Sequence, residues 1–303
     1  MMKKKPLYIG KLALAALQLL LIGGFTSCHS SNDYNWWDEE DSDKEEEEAI
    51  TVTITENDST LTPLSTGSHL GYFVLSDDGT SSANNTPITV GAEGQVSFPS
   101  TAKGKYVIYS PYQEEWENAL TTPPLFKVKP DQSTEANYNA SNLMVGIIDI
   151  SPSTRADNNQ SMSMKQMMGK LYIRIIDETG AIDFKNEGTL KLLSMKDAVT
   201  LNLSEQKVST VEDSEENITM FAYERTDRRL TAVAFIAPQT RSAESPFIVL
   251  NVNGRQYIYR QSFTLDSGQS YAYIFRLTKN GLLLDGTYIT NWEIGGKDTT
   301  LPI

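Results

Sequence analysis

The residue types that most often carry catalysis or bind metals are scarce in this sequence of 303 residues. It contains one cysteine, Cys28, and two histidines, His29 and His69. A single cysteine excludes an intramolecular disulfide and any site with several cysteine ligands. Two histidines leave little for histidine-based acid–base catalysis or a zinc site. The sequence therefore indicates neither a cofactor nor a metal site.

Carboxylates are the remaining candidates for acid–base chemistry. The adjacent pairs Asp177-Glu178 and Glu212-Asp213 lie in predicted turns, where neighbouring acidic side chains are usually solvated. A glycosidase needs two carboxylates that face each other across a cleft, which sequence spacing alone does not reveal. The chain also lacks a Gly-x-Ser-x-Gly elbow and a glycine-rich phosphate loop. We predict that the protein is not an enzyme.

The charge balance argues against a nucleic-acid partner. The chain has 26 basic and 39 acidic residues, a net charge of −13. Nucleic-acid binding depends on Lys and Arg side chains that neutralise phosphates. The hydrophobic fraction of 39% is enough to build packed cores.

The amino terminus has the features of a secretory signal. Three lysines at residues 3–5 precede an apolar run of 11 residues at 12–22, too short to span a membrane as a helix. Small residues then lead to Ser27 and Cys28, as in a bacterial lipobox, with Phe25 where leucine is usual. This pattern predicts a lipoprotein signal peptide over residues 1–27, cleavage between Ser27 and Cys28, and acylation (palmitate) of the Cys28 thiol. An ordinary signal peptide with an incidental cysteine is the alternative.

An acidic linker follows at residues 28–48. Residues 38–48 contain nine acidic residues and one lysine, a charge of −8. Such a run repels itself and has little to bury, so it is expected to stay extended and solvated.

From residue 49 onward the pattern is that of strands separated by turns. Ile50, Val52 and Ile54 alternate with threonines, which is typical of a half-buried strand. Asn253-Gly254 between two apolar runs is a strong hairpin signal. A polar stretch at 151–160 suggests a boundary. We predict an all-β protein with two β-sandwich domains, at 49–152 and 153–303.

The carboxy-terminal motifs resemble a known family. Residues 263–277 contain a Gly-x-x-Tyr-x-Tyr strand at Gly268, Tyr271 and Tyr273, followed by an Asn-Gly turn, a final strand and Trp292. This order is similar to the ending of the Bacteroidales fimbrillin-like (Mfa-like) family. The resemblance implies transthyretin-like, mostly antiparallel sandwiches in a lipoprotein of the outer membrane, exposed at the cell surface or in a fimbrium (type V pilus).

The resemblance also implies a mode of assembly. In polymerising members an arginine-specific protease removes the first strand, and the groove accepts a donor strand from another subunit. Here the exchanged strand would carry Ile50, Val52 and Ile54, and the tail with Leu301 and Ile303 would contribute to a donor. The implied partners are other fimbrial subunits or a second copy, the outer membrane through the lipid on Cys28, and a host or bacterial surface ligand.

One departure from the family pattern concerns processing. No arginine lies between Cys28 and Arg155. An arginine-specific cut therefore cannot release the first strand alone. Arg155, in the polar stretch, is either a processing site, where cleavage would separate the two halves, or an ordinary exposed linker arginine. The sequence suggests a member that keeps its lipid and first strand, acting in adhesion or as an anchor or tip subunit, and the alternative is processing by a protease that is not arginine-specific.

A glycan-binding surface lipoprotein that serves an outer-membrane uptake system is the alternative function. Trp116, Trp292 and the tyrosines of residues 257–273 would supply aromatic platforms for sugars. Burial of these rings would favour a structural role instead.

Overall fold

A computed structural model describes residues 49–56, 61–75, 84–99, 101–150, 159–242 and 245–291. Strands dominate, which confirms the predicted all-β fold. The described part of the first half contains eight strands, one short α-helix and a 3₁₀ turn at Ala92–Gly94. The strands and the α-helix have these bounds: β1 Ile50–Glu56, β2 His69–Leu75, β3 Thr86–Thr89, β4 Gln95–Phe98, β5 Gly104–Ser110, β6 Leu125–Lys127, α1 Glu135–Asn139, β7 Met144–Ile150 and β8 Asn159–Gln166.

The second half consists of strands. They have these bounds: β9 Gly169–Asp177, β10 Thr189–Lys196, β11 Ala198–Asn202, β12 Lys207–Thr210, β13 Glu215–Thr219, β14 Phe221–Arg225, β15 Arg229–Ile236, β16 Gln239–Arg241, β17 Pro246–Val252, β18 Arg255–Arg260, β19 Phe263–Leu265, β20 Gln269–Thr278 and β21 Gly281–Asn291.

The strands of the first half, apart from β6, form one seven-stranded sheet in the order β3-β2-β5-β7-β8-β1-β4. Its two ends face each other across an apolar core. The ring of Phe98 on β4 contacts Tyr72 on β2 at 5.4 Å and Tyr106 on β5 at 5.0 Å between centroids. The β7–β8 junction is narrow, because only Met144↔Gln166 and Val145↔Lys165 pair there. The sheet therefore closes over itself as a sandwich.

In the second half, a five-stranded sheet faces a four-stranded sheet. One has the order β14-β15-β9-β20-β21 and the other β13-β10-β17-β18. Phe247 on β17 contacts Tyr273 on β20 at 5.3 Å, and Tyr259 on β18 contacts Phe275 on β20 at 4.8 Å. Nearly all strand pairs are antiparallel, the exceptions being β1–β8 and β9–β20.

Some strands connect the two halves of the chain. Strand β6 pairs with β11 of the second half, and β8 belongs to the seven-stranded sheet although it follows residue 153. One apolar cluster includes Phe73 and Val107 together with Ile173 and Phe275. The division into domains at 49–152 and 153–303 stays a prediction.

The hairpin predicted at Asn253-Gly254 is present between β17 and β18. Both residues have positive φ, 50° and 68°. A two-residue turn of this kind has a backbone twist that matches the right-handed twist of the paired strands, and asparagine and glycine adopt it most readily. The turn fixes the register that pairs Val252 with Arg255.

A buried glutamine completes the edge of β15. Gln132 is fully buried; its Nε2 donates to the Phe235 carbonyl at 2.8 Å, and its Oε1 accepts from the Phe235 amide at 2.9 Å. The paired part of β14 ends opposite Val233, so the glutamine side chain takes the place of a neighbouring strand for Phe235. It satisfies two backbone groups that burial would otherwise leave without partners.

We expect Gln132→Leu to lower the free energy of unfolding by about 3 kcal/mol, because two buried backbone groups lose their partners. Urea denaturation followed by circular dichroism measures the change. Gln256→Leu, at an exposed position of β18, is the control and should shift stability by no more than about 0.5 kcal/mol. Equal effects of the two substitutions would contradict this role for Gln132.

Candidate functional site

Strand β1 has the alternation that its sequence predicts. Ile50, Val52 and Ile54 are at most 1% exposed, while the intervening threonines are half-buried. Successive side chains of a strand point to opposite faces, so the three apolar residues all enter the core. They pack with Leu70, Phe98, Ile108 and other buried residues of the seven-stranded sheet.

Both edges of β1 are paired. It runs antiparallel to β4, with Ile50 opposite Phe98 and Val52 opposite Val96. It runs parallel to β8 over six pairs, from Thr51↔Asn159 to Glu56↔Met164. Among the described strands, β4 pairs with β1 alone. Removal of β1 would therefore leave two unpaired backbone edges beside an open apolar groove.

The carboxyl end of β1 is held by the chain that follows it. The Glu56 amide donates to the Thr62 carbonyl at 2.8 Å, and the Leu64 amide donates to the Ile54 carbonyl at 3.0 Å. Gly94 closes over the same carbonyl with a φ of +76°, and a Cβ there would lie 2.6 Å from the Ile54 oxygen. Glycine at this position lets the backbone approach β1 closely.

The groove includes residues that sequence reasoning missed. Met162, 7% exposed, and Met164, fully buried, project from β8 into the core beside β1. The polar stretch before them suggested a boundary, and β8 was not predicted as a strand. The alternation of methionine with serine from Ser161 to Met164 was the available signal.

Several predicted site residues lie outside the described part of the chain. The signal cleavage site, the acylation site, the candidate processing site, the candidate donor residues and one predicted aromatic platform belong to this group: Ser27, Cys28, Arg155, Leu301, Ile303 and Trp292. Their roles stay predictions.

Trp116 is a core residue and does not form an exposed platform. It is 3% exposed, stacks on Tyr109 at 4.8 Å, and its Nε1 donates to the Leu125 carbonyl at 3.3 Å. Burial raises the pKa of Tyr109 to about 12, against the opposing effect of its hydrogen bonds with Gln113 and Asn85. Tyr271 and Tyr273 are buried as well. These rings therefore have structural roles.

The first acidic pair, Asp177-Glu178, has structural partners, and in the second pair Glu212 is exposed and lies 3.7 Å from Lys196. Asp177 is buried and accepts hydrogen bonds from the Thr179 amide at 2.8 Å and hydroxyl at 2.6 Å, and from the Ile182 amide at 3.1 Å. Burial alone would raise its pKa, but these hydrogen bonds outweigh burial and lower it. Glu178 pairs with Arg276 at 3.2 Å. In the described ranges no group of three or more His, Cys, Asp or Glu side chains is placed to hold a metal ion.

The sequence profile of the fimbrillin-like family matches residues 39–292. The chain belongs to the fimbrillin-like family. This confirms the resemblance seen in the carboxy-terminal motifs. Among curated proteins, none matches the sequence.

Solved structures share the fold of this fimbrillin-like chain. A proposed cell adhesion protein from Bacteroides uniformis superposes with a TM-score of 0.60 at 17% identity, over 80% of this chain and 98% of the other. Another from Bacteroides ovatus gives 0.62 at 14% identity, over 82% and 98%. At such identities the likeness shows the fold alone. Within the residues described, no helix is long and apolar enough to cross a membrane.

We expect Val52→Asp to lower the stability of the fimbrillin-like chain by about 4 kcal/mol, because it buries an unpaired charge in the groove. Thr53→Asp is the matched control on the opposite face of β1 and should cost no more than about 1 kcal/mol. Thermal and urea denaturation of both variants measure the difference. Comparable losses of stability in the two variants would show that both faces of β1 tolerate a charge equally, which would contradict an apolar groove.

Proposed function

We propose that this fimbrillin-like protein is anchored at the cell surface by lipid on Cys28 and acts in adhesion or fimbria assembly, contacting other subunits by β-strand addition. The observation that carries the proposal is the position of β1. It fills an apolar groove between β4 and β8, with three inward side chains at a spacing of two residues. An incoming strand with the same alternation would satisfy the same backbone groups and fill the same space.

The groove has the physical properties that strand addition requires. Unpaired strand edges bind extended chains through backbone hydrogen bonds, and buried side chains add specificity. Full burial of Ile50, Val52 and Ile54 would contribute about 2 kcal/mol each. A donor that lacks apolar residues at these three positions would leave the groove empty.

The amino-terminal segment supports anchoring at the membrane surface. Cleavage between Ser27 and Cys28 would create an amino-terminal cysteine able to carry acyl chains, and two or more chains give stable membrane attachment. The acidic linker at residues 28–48 would then separate the sandwich from the membrane. This supports a location on the outer membrane, exposed to the outside.

The positions of basic residues support an uncut first strand. Lys44 precedes β1, so a cut there would not remove the strand. Lys103 lies between β4 and β5, where a cut would separate β1–β4 from the rest of the sheet. With no arginine before Arg155, the chain is best suited to an anchor, a tip or an unpolymerised adhesin that keeps β1.

The test uses the natural protein extracted from membranes with detergent. We expect a single monomer band on an unboiled denaturing gel, and mass spectrometry should find an amino terminus at acylated Cys28. A Cys28→Ala variant is the control and should lose the acyl mass and leave the membrane fraction.

The lipid anchor and the uncut first strand can each be disproved separately. An unacylated amino terminus in the natural protein would contradict the lipid anchor. A ladder of multimers whose subunits begin beyond Glu56 would show that β1 is removed and that the chain polymerises, which contradicts the uncut form.

A further inference from the structure

A cavity of about 560 Å³ with mixed polar and apolar walls opens where β1 ends, between the loop that precedes β2 and helix α1. Fourteen described residues line it, among them Glu56, His69, Ser110, Tyr112 and Asn142. A second cavity of about 500 Å³, lined by Asn85, Glu117 and others, also contains Tyr112 in its wall. Each volume is in the range of small-molecule sites. The two cavities therefore meet at one aromatic side chain.

The larger cavity contains a hydrogen-bonding atom that the fold does not use. Asn142 lines the cavity, and its Oδ1 is buried without a hydrogen-bond partner among the described residues. The side chains of Ser65, Ser68, Ser110 and Asn139 line the same space. Buried polar atoms normally have partners, so Asn142 marks a place where a ligand can supply one.

The charges of the walls restrict the ligand. The described lining of both cavities includes Glu56, Glu114 and Glu117 but neither lysine nor arginine. Phosphates, sulfates and carboxylates would meet these carboxylates and would find no lysine or arginine in the described lining, where His69 is the one basic side chain. The charges of the walls therefore favour an uncharged or cationic ligand.

The mixture of apolar and polar groups narrows the ligand further. Leu64, Pro111, Met144 and the ring of Tyr112 provide apolar contact, while serine and asparagine side chains provide hydrogen bonds. A pyranose presents C–H groups on its faces and hydroxyls around its edge, which matches such a surface. We propose that this cavity binds a neutral oligosaccharide, with Tyr112 between two adjacent subsites.

This inference rests on the proposed function, since it names the ligand class for adhesion, but it needs neither the lipid nor strand exchange.

Purified full-length chain is titrated by calorimetry with cellotetraose, maltotetraose, mannotetraose and chitotetraose, and with tetragalacturonic acid as the charged counterpart. We expect at least one neutral tetrasaccharide to bind with a Kd below about 1 mM, and the acidic one to bind at least about tenfold more weakly.

Two substitutions locate the site. Asn142→Leu removes the unpartnered amide oxygen and keeps the branching of the side chain, and it should weaken binding about tenfold. Tyr112→Ala should weaken binding at least as much. Asn280→Leu, at an exposed position in the turn between β20 and β21, is the matched control and should leave binding unchanged. Thermal melting of each variant confirms that it is folded.

The proposal is overturned if none of the four neutral sugars binds, if the acidic sugar binds as well as they do, or if folded Asn142→Leu binds like the parent protein. Any of these results leaves the lipid anchor and the strand-exchange groove untouched. An unacylated or truncated natural chain that still binds the sugar would refute only the proposed anchoring or processing.

Discussion

The seven-stranded sheet depends on a strand at the very start of the described chain that is paired on both edges. β1 joins β4 to the rest of the sheet, and through β8 it joins the part of the chain that leads into β9. Its three inward residues are among the most buried of the molecule. Without it, β4 would lose its strand partner and the core beneath would face water.

The same arrangement would allow one strand position to serve both folding and the proposed assembly. Backbone pairing to β4 and β8 does not depend on which chain supplies the strand, whereas the inward positions demand apolar side chains at a spacing of two. Because β1 precedes every other described strand, it can be exchanged without unthreading the rest of the sheet. Its close contacts with Gly94 and the 62–64 segment define where an incoming strand must end.

Local patterns in the sequence predicted much of this fold. The alternation at residues 50–54 and the Asn253-Gly254 turn each depend on short-range physics, strand periodicity and positive φ, and the structure has both. Strand β8 was missed because its first residues are polar and its inward residues are methionines. The parallel pairing of β8 with β1 joins segments about a hundred residues apart, which no local pattern reveals.

The sequence also did not reveal which side chains are exposed or where the surface forms a cavity. A tryptophan such as Trp116 can serve either in a packed core or as a platform for sugars. Only its contacts with Tyr109 and the Leu125 carbonyl show that it is a core residue. The cavity lined by Tyr112 and Asn142 is assembled from the end of β1, the loop before β2, the end of β5 and helix α1. Each segment alone has the appearance of an ordinary turn or strand end.

Replacement of β1 in trans tests directly whether the groove selects its strand. A protease site inserted between Glu56 and Leu61 allows β1 to be cut from the rest of the chain, and a labelled peptide of residues 49–56 is then added in excess. We expect the peptide to take the place of β1 and restore the melting temperature, whereas the same peptide with Val52→Asp should not. Failure of the natural peptide to bind, or equal binding of the two peptides, would contradict an apolar groove that selects its strand.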